Sequence, residues 1–495
     1  VTIWWFSIPG CLLSARFLAS RWRRAATTSP LEYLEARYSP GLRQAFSWFG
    51  VPLIVLDDAL KLFVIGTMAT VSLGLEGDSW QLWAIAACGI VMMLYTLLGG
   101  IWAVMITDFV QFLVMAAAVL VLAPLAASRA GGVAETLRSI PAEAMSFTSG
   151  DYSWPWLLSF GFVLALTFAT KWPYVQRYYA ARSEPDARRV GYMVAVLTLI
   201  GPPLLFWPAL AARVFLPGVE DPNSVYPLLC RELLPAGMMG IVIAAMFSAT
   251  MSMISSDYNA AASVVTNDIL KRLVLRDASP RTMVLAARLA TLGIGVAALA
   301  LVLVLARTEG LEDLVKLMAR LFAVLLPPTA LPMVAGLLSR RVSAAGGMAG
   351  FVAGAVCGVI AYSLSYAGEL DYLRTIPYLT WLTTFPTLAG LLLGSVLRPD
   401  APAKRAAVAA FLEGLTGAPQ PEAKTLGRDE AAMALRVVGV TCLLMGGMLA
   451  GAVLFTAGPA EGAISLGVGA VLMLGGGATL IFGRRGAGPE VRDDP

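Results

Sequence analysis

Histidine is absent from this 495-residue chain. Its absence excludes histidine metal sites, imidazole proton relays, and the Ser–His and Cys–His pairs of nucleophilic catalysis. Charge is scarce as well: 14% of the residues are Asp, Glu, Lys or Arg, against about 25% in a soluble domain. Cysteine is confined to Cys11, Cys88, Cys230, Cys357 and Cys442, with no CxxC, so neither a zinc site nor a disulfide framework is indicated. A formal net charge of +4 gives no reason to expect a nucleic-acid partner. The opening residues VTIWWFSIPG carry no basic run, and a cleaved signal peptide is not expected.

What fills the chain instead is apolar: 58% of residues are hydrophobic and the mean hydropathy is +0.75. The runs are long enough for helices that span a bilayer rather than for barrel strands. Windows of about 19 residues pick out about thirteen spans. They run from Val1–Ala19 to Ala463–Phe482 and include Ser47–Leu75, Trp80–Leu98, Ala103–Ala127, Trp154–Thr170, Met238–Tyr258 and Leu314–Leu338. Arg and Lys collect in alternate loops, as at Arg21–Arg24, Arg182–Arg189, Lys271–Arg281 and Arg340–Arg341, while the loops between are poor in them. This positive-inside pattern predicts an all-α, multi-pass protein of the plasma membrane (the inner membrane of a prokaryote) with Pro495 in the cytoplasm.

Polar groups stand out against this background. In Gly240–Lys271 the residues Ser248, Ser252, Ser255, Asn259, Ser263 and Thr266 step by three or four and share one helical stripe. Such a stripe either glues helices together or lines an ion or solute pathway. Asp57, Asp58 and Lys61 interrupt an apolar span, and the spacing predicts an Asp57–Lys61 pair facing the helix bundle. Asp108 lies more than a turn into another span, with no Lys or Arg within a turn, so a bound cation is an option for it. Lys316 and Arg320 lie near the start of a span that Pro327–Pro328 is expected to break. Trp172–Pro173 ends the span before it in the same manner.

Four segments in order resemble the sodium:solute symporter family: SPLEYLEARYSP at Ser29–Pro40, GGIWAVMITDFVQ at Gly99–Gln111, VQRYYAARSEPDARR at Val175–Arg189, and LPAGMMGIVIAAMFSATMSMISSDYNAAASVVTNDILK ending at Lys271. The resemblance implies a leucine-transporter-type fold of two inverted repeats and sodium-coupled uptake of a small organic solute by alternating access. The solute class stays open among sugars, amino acids, carboxylates and vitamins. Na+ is the implied coupling ion, and neither an organic cofactor nor an enzymatic activity is expected.

Carried over by motif, the principal sodium site falls on Ala249, Ser252 and Met253, where the family's second hydroxyl is replaced by a thioether, a poor match for sodium. A second sodium site falls on Asp108, Ser252, Ser255 and Ser256. Lys171 and Trp172 stand where the family often has an Asp–Gln pair. With Asp57, Asp58, Lys61, Lys316 and Arg320 they are the candidates for solute contact or gating. Val1–Ala19 then corresponds to the second core helix, leaving the first core helix out. A groove lined by Ala245, Ala249 and Ser252 is expected where that helix would pack. The expected division is a transporter core (1–397), a cytoplasmic linker (398–436), two peripheral spans (437–482) and a cytoplasmic tail (483–495). The alternative function is a transporter-derived sensor or channel without coupled transport.

Overall fold

The computed structural model describes residues 2–485 apart from 26, 28, 76, 142–145, 149, 151, 220–224, 235, 308–313, 367–370, 418–427 and 453–458. Part of the expected linker and residues 486–495 of the expected tail therefore lie outside the described residues. Helices dominate, and among the described residues six are long and apolar enough to cross a membrane, with four shorter apolar ones beside them. The six are Asp108–Arg129, Glu184–Phe215, Pro280–Leu305, Lys316–Leu338, Ala344–Ser365 and Ile376–Leu397. This is an integral membrane protein.

Most expected spans fall within observed helices. One pair does not stay separate. Trp80–Leu98 and Ala103–Ala127 are joined in a single 52-residue helix, Asp78–Arg129. Gly99 and Gly100 weaken a helix by roughly 1 kcal/mol each, but without a proline or a charged turn they do not stop one. Its two most apolar stretches are Ser79–Leu94 and Asp108–Arg129.

By internal contacts the chain divides into two units. The first comprises Val1–Leu60, Glu143–Pro202 and Asp257–Ala423; the second comprises Lys61–Ala142, Pro203–Ser256 and Lys424–Pro495. In the second unit, small and branched residues such as Ala117, Val121, Leu122, Ala211, Leu229, Val242 and Ala245 pack into one buried apolar cluster. Of the residues expected to line a groove, Ala245 is buried in this cluster, and Ala249 and Ser252 are half-buried.

The first unit is built around Leu314–Leu338, Ala344–Tyr366 and Ile376–Leu397. Gly346, Gly350, Gly354 and Gly358 repeat every four residues on one face of Ala344–Tyr366. That face lies directly on Ile376–Leu397: a Cβ on Gly354 would sit 1.9 Å from the Thr387 Oγ1, and one on Gly350 2.8 Å from the Thr387 carbonyl oxygen. Small residues of this kind let helix backbones approach closely where no hydrophobic force drives them together. Pro327 and Pro328 do not interrupt Leu314–Leu338, contrary to the sequence expectation. Pro327 removes the amide that would bond the Ala323 carbonyl, and the Thr383 hydroxyl donates to that carbonyl instead, at 2.9 Å.

The SPLEYLEARYSP segment acts as a clamp on the far end of the same helix. The Tyr33 hydroxyl donates to the Met333 carbonyl (2.8 Å) and the Tyr38 hydroxyl to that of Pro332 (2.8 Å). The fully buried Arg37 donates to the carbonyls of Gly336, Ser339 and Val342 at 3.0, 2.7 and 2.8 Å. A helix C-terminus leaves its last carbonyls without amides and carries a partial negative charge, so a planar cation with several donors fits there. Arg43, three residues past the segment, donates to Asp268 through Nε at 2.5 Å and also to Glu35 at 2.8 Å. Asp268 lies in the π-helical turn Val265–Leu270 and accepts a further bond from Ser29 at 2.9 Å. Burial pushes the Asp268 carboxyl up from its ordinary range despite Arg43. For Arg43, burial acts downward, but Asp268 and Glu35 together outweigh it and hold the guanidinium above its ordinary value.

Candidate functional site

The site begins at a break. Helix Trp154–Thr170 ends and helix Trp172–Tyr179 begins with only Lys171 between them, its backbone extended at φ −61°, ψ 127°. Pro173 supplies the reason. It has no amide to donate to Ala169, and its ring disfavours helical geometry just upstream. Lys171 closes one helix by donating its amide to the Thr167 carbonyl (2.9 Å) and opens the next by accepting from Tyr174 (3.0 Å) and Val175 (3.1 Å). The Phe168 carbonyl accepts the Ser14 hydroxyl at 3.0 Å, and the Ala169 carbonyl accepts the Trp22 indole at 3.1 Å. Broken helices persist in a bilayer when the released carbonyls find such partners.

The break places Lys171 among carboxylates. Its Nζ lies 2.9 Å from the Asp57 Oδ2 and 3.7 Å from the Asp257 Oδ2. Asp57 and Asp58 come from helix Pro40–Leu73, and Asp257 from helix Ala236–Val264. One carboxylate oxygen from each of the three lies within 4.8 Å of the others, and all three residues are buried. Their geometry would admit a cation, and the Lys171 ammonium already stands beside two of them. Lys61 is also buried. The expectation that Asp57, Asp58 and Lys61 avoid lipid therefore holds, and Lys171 supplies an ion pair to Asp57 from across the fold.

Next to this cluster is a cavity of about 120 Å³ wholly within the first unit. Asp57, Lys171, Thr167, Thr170 and Trp172 contribute to its wall, and most of the rest is Leu, Ile, Phe and Met from Pro40–Leu73 and Leu314–Leu338. Lys316 and Arg320 are half-buried, and the turn they belong to reaches the cavity through Met318, Leu321 and Phe322. Trp172 packs against Gly50, where a Cβ would lie 2.6 Å from the indole ring.

The residues expected to hold sodium lie in the second unit. Ser255 is fully buried, and its hydroxyl donates to the Ser252 carbonyl at 3.2 Å. Ala249, Ser252, Ser256 and Asp108 are half-buried. Met253, at the position of the family's missing hydroxyl, is 49% exposed.

Asp257 was the residue that sequence reasoning passed over. At about 100° per residue it falls on the face of its helix opposite the Ser252–Ser255–Asn259 stripe, so the stripe's periodicity does not report it. The usable signal was the charge itself, an ionisable residue deep in an apolar helix.

The sodium:solute symporter family model matches residues 1–354. The chain is 25% identical over 289 residues to a sodium/sialic acid symporter of Aliivibrio fischeri, covering 55% of this chain and 54% of that one. It is 29% identical over 295 residues to a sodium/mannose cotransporter of Bos taurus, covering 51% and 49%. It is 32% identical over 226 residues to an osmoregulated proline transporter of Bacillus subtilis, covering 43% and 44%. The chain thus spans about half the length of these relatives. In fold it is similar to a solved Na+-coupled sialic acid symporter in a substrate-bound, outward-open state, with a TM-score of 0.67 at 20% identity over 81% of this chain and 84% of that one.

Proposed function

Because the chain belongs to the sodium:solute symporter family, we propose that it takes up a small organic solute across the plasma membrane by sodium-coupled symport. The observation that carries this reading is the cavity beside the buried Asp57–Lys171 pair, set at a helix break. A break lets two half-helices tilt separately, and polar groups concentrated beside it give a solute something to hold at depth in the bilayer. The inverted-repeat architecture, the cytoplasmic C-terminus and the division into core, linker and two peripheral spans belong to the same proposal.

Sodium, as the co-transported ion, takes oxygen ligands. The Ala249 carbonyl, the hydroxyls of Ser252, Ser255 and Ser256, and the Asp108 carboxylate are the proposed set. A carboxylate repays part of the cost of stripping water from the ion, and the hydroxyls complete its shell. The exposed Met253 thioether contributes nothing to it.

The test is uptake into proteoliposomes containing the purified chain, with an inward sodium gradient, an equal potassium gradient, or none. Solute accumulation above equilibrium with sodium alone supports symport. Equilibration at the same rate under all three supports the channel-like alternative, which the Met253 replacement favours.

A further inference from the structure

We propose that the solute is a small zwitterion with an apolar body, of the kind of a branched aliphatic or aromatic amino acid, bound head-first to the Asp57–Lys171 pair. The inference rests on the reading of the cavity as the solute site.

The cavity wall carries two kinds of group. Asp57 and Lys171, whose charged atoms are 2.9 Å apart, are its charged members. Most of the rest is apolar, with side chains such as Leu53, Ile54, Phe322 and Leu325. The threonines on the wall have used their donors, Thr167 on the Val163 carbonyl (3.0 Å), Thr170 on that of Leu166 (2.8 Å) and Thr329 on that of Leu326 (3.0 Å), so they offer a solute acceptors only. A polyhydroxylated sugar needs partners around its whole rim, and hydroxyls buried against leucine and phenylalanine go unpaired. An apolar body needs none. A volume of 120 Å³ is near that of cavities of about 150 Å³ that take benzene, so a leucine- or phenylalanine-sized side chain is the right scale.

The charges at the head also match. An α-amino acid carries its ammonium and carboxylate on one carbon, about 3 Å apart by ordinary bond lengths. That spacing is the spacing of Asp57 and Lys171. The solute's carboxylate meets Lys171 while its ammonium meets Asp57. The pair keeps that spacing while it holds the solute, so neither charge is stranded, and Asp257, 3.7 Å from the same ammonium, lies beside them. Lys171 is also the most open of the three, with 19% of its side chain exposed against 7% for Asp57 and 2% for Asp257. Phe322, whose ring centre is 5.7 Å from the Lys171 ammonium, sets an apolar face beside the charged pair.

The experiment is binding to the full chain in detergent, followed by tryptophan fluorescence because Trp172 lies in the cavity wall. The probes are L-leucine, L-phenylalanine, isovalerate (no ammonium), isoamylamine (no carboxylate), mannose and N-acetylneuraminic acid. One or both amino acids should saturate the signal, with the single-charge analogues at least tenfold weaker and the sugars silent. Lys171→Gln and Asp57→Asn should each weaken the amino acid at least tenfold, and Lys171→Arg should restore most of the affinity, which separates loss of charge from loss of fold. Equal affinity for the single-charge analogues, tighter binding of either sugar, or no saturation by either amino acid overturns the proposal. The two readings fail separately. Amino-acid binding without sodium-driven uptake defeats symport and leaves the zwitterion site standing. Sodium-driven uptake of mannose or N-acetylneuraminic acid does the reverse.

Discussion

Arg37 shows how much a single side chain carries here. It is fully buried, yet its partners are three carbonyls at the end of one helix rather than a carboxylate. Replacing it with alanine leaves those carbonyls without their donor, the Gly336 carbonyl in a buried setting and the other two in a part-buried one. The expected loss is about 3 kcal/mol, the scale of breaking a buried charged hydrogen-bond set. A thermal-melt comparison in detergent should show Arg37→Ala markedly less stable, and Arg37→Lys recovering only part, since an ammonium lacks the planar fork. A melt for Arg37→Ala equal to that of the unsubstituted chain would refute this account of the clamp. The motif's residues were plain in the sequence, but this role was not, because Met333, Gly336 and Val342 lie about 300 residues away. The same limit hid one partner of Asp57, because only the folded chain brings in Lys171, 114 residues on.

At the scale of elements, apolar runs and prolines were largely readable in advance. Leu314–Leu338 closes at the expected Leu338, and the break at Trp172–Pro173 is where the proline places it. The Pro327–Pro328 interruption was misjudged because whether a helix breaks depends on what satisfies its carbonyls, and a neighbouring helix does so here. The glycine face of Ala344–Tyr366 yields a direct test. Gly354→Leu drives a side chain into Thr387 and should lower the melting temperature by several degrees, for a cost of roughly 1–3 kcal/mol. Gly201→Ala, inside helix Glu184–Phe215 where an added Cβ meets nothing within 4 Å, should leave it unchanged or raise it. Gly50→Ala belongs between them: it presses on the Trp172 ring and should weaken solute binding more than it lowers stability. A melting loss with intact binding would count against Trp172 as part of the wall.

For the whole molecule, the ion and the solute depend on different stretches of chain. The proposed sodium ligands are drawn from Asp108 and Ala249–Ser256, and the cavity from Phe46–Leu60, Thr167–Trp172 and Met318–Met333. Asp108→Asn keeps the size of the side chain and removes its charge. It should raise the sodium concentration for half-maximal uptake about tenfold, equivalent to about 1.4 kcal/mol, while leaving amino-acid binding measured at saturating sodium within about twofold. Uptake with an unaltered sodium requirement would remove Asp108 from the ion's path. The family was legible from ordered motifs. The cavity was not, because it is assembled from side chains that are ordinary core residues at every position but Asp57 and Lys171.

The way the break at Lys171 is finished has a consequence for the order in which the protein assembles. The donors that take up the freed carbonyls, Ser14 and Trp22, precede their acceptors by 154 and 147 residues. A ribosome adding about 5–20 residues per second has delivered both donors many seconds before Phe168 and Ala169 leave the exit tunnel. The broken helix therefore enters the bilayer with its partners already made, and the exposed carbonyls need not wait for anything synthesised later. Had the donors come from the C-terminal half, the break would have to sit unsatisfied in lipid until translation caught up. Chain direction thus protects the break at the moment it is most vulnerable.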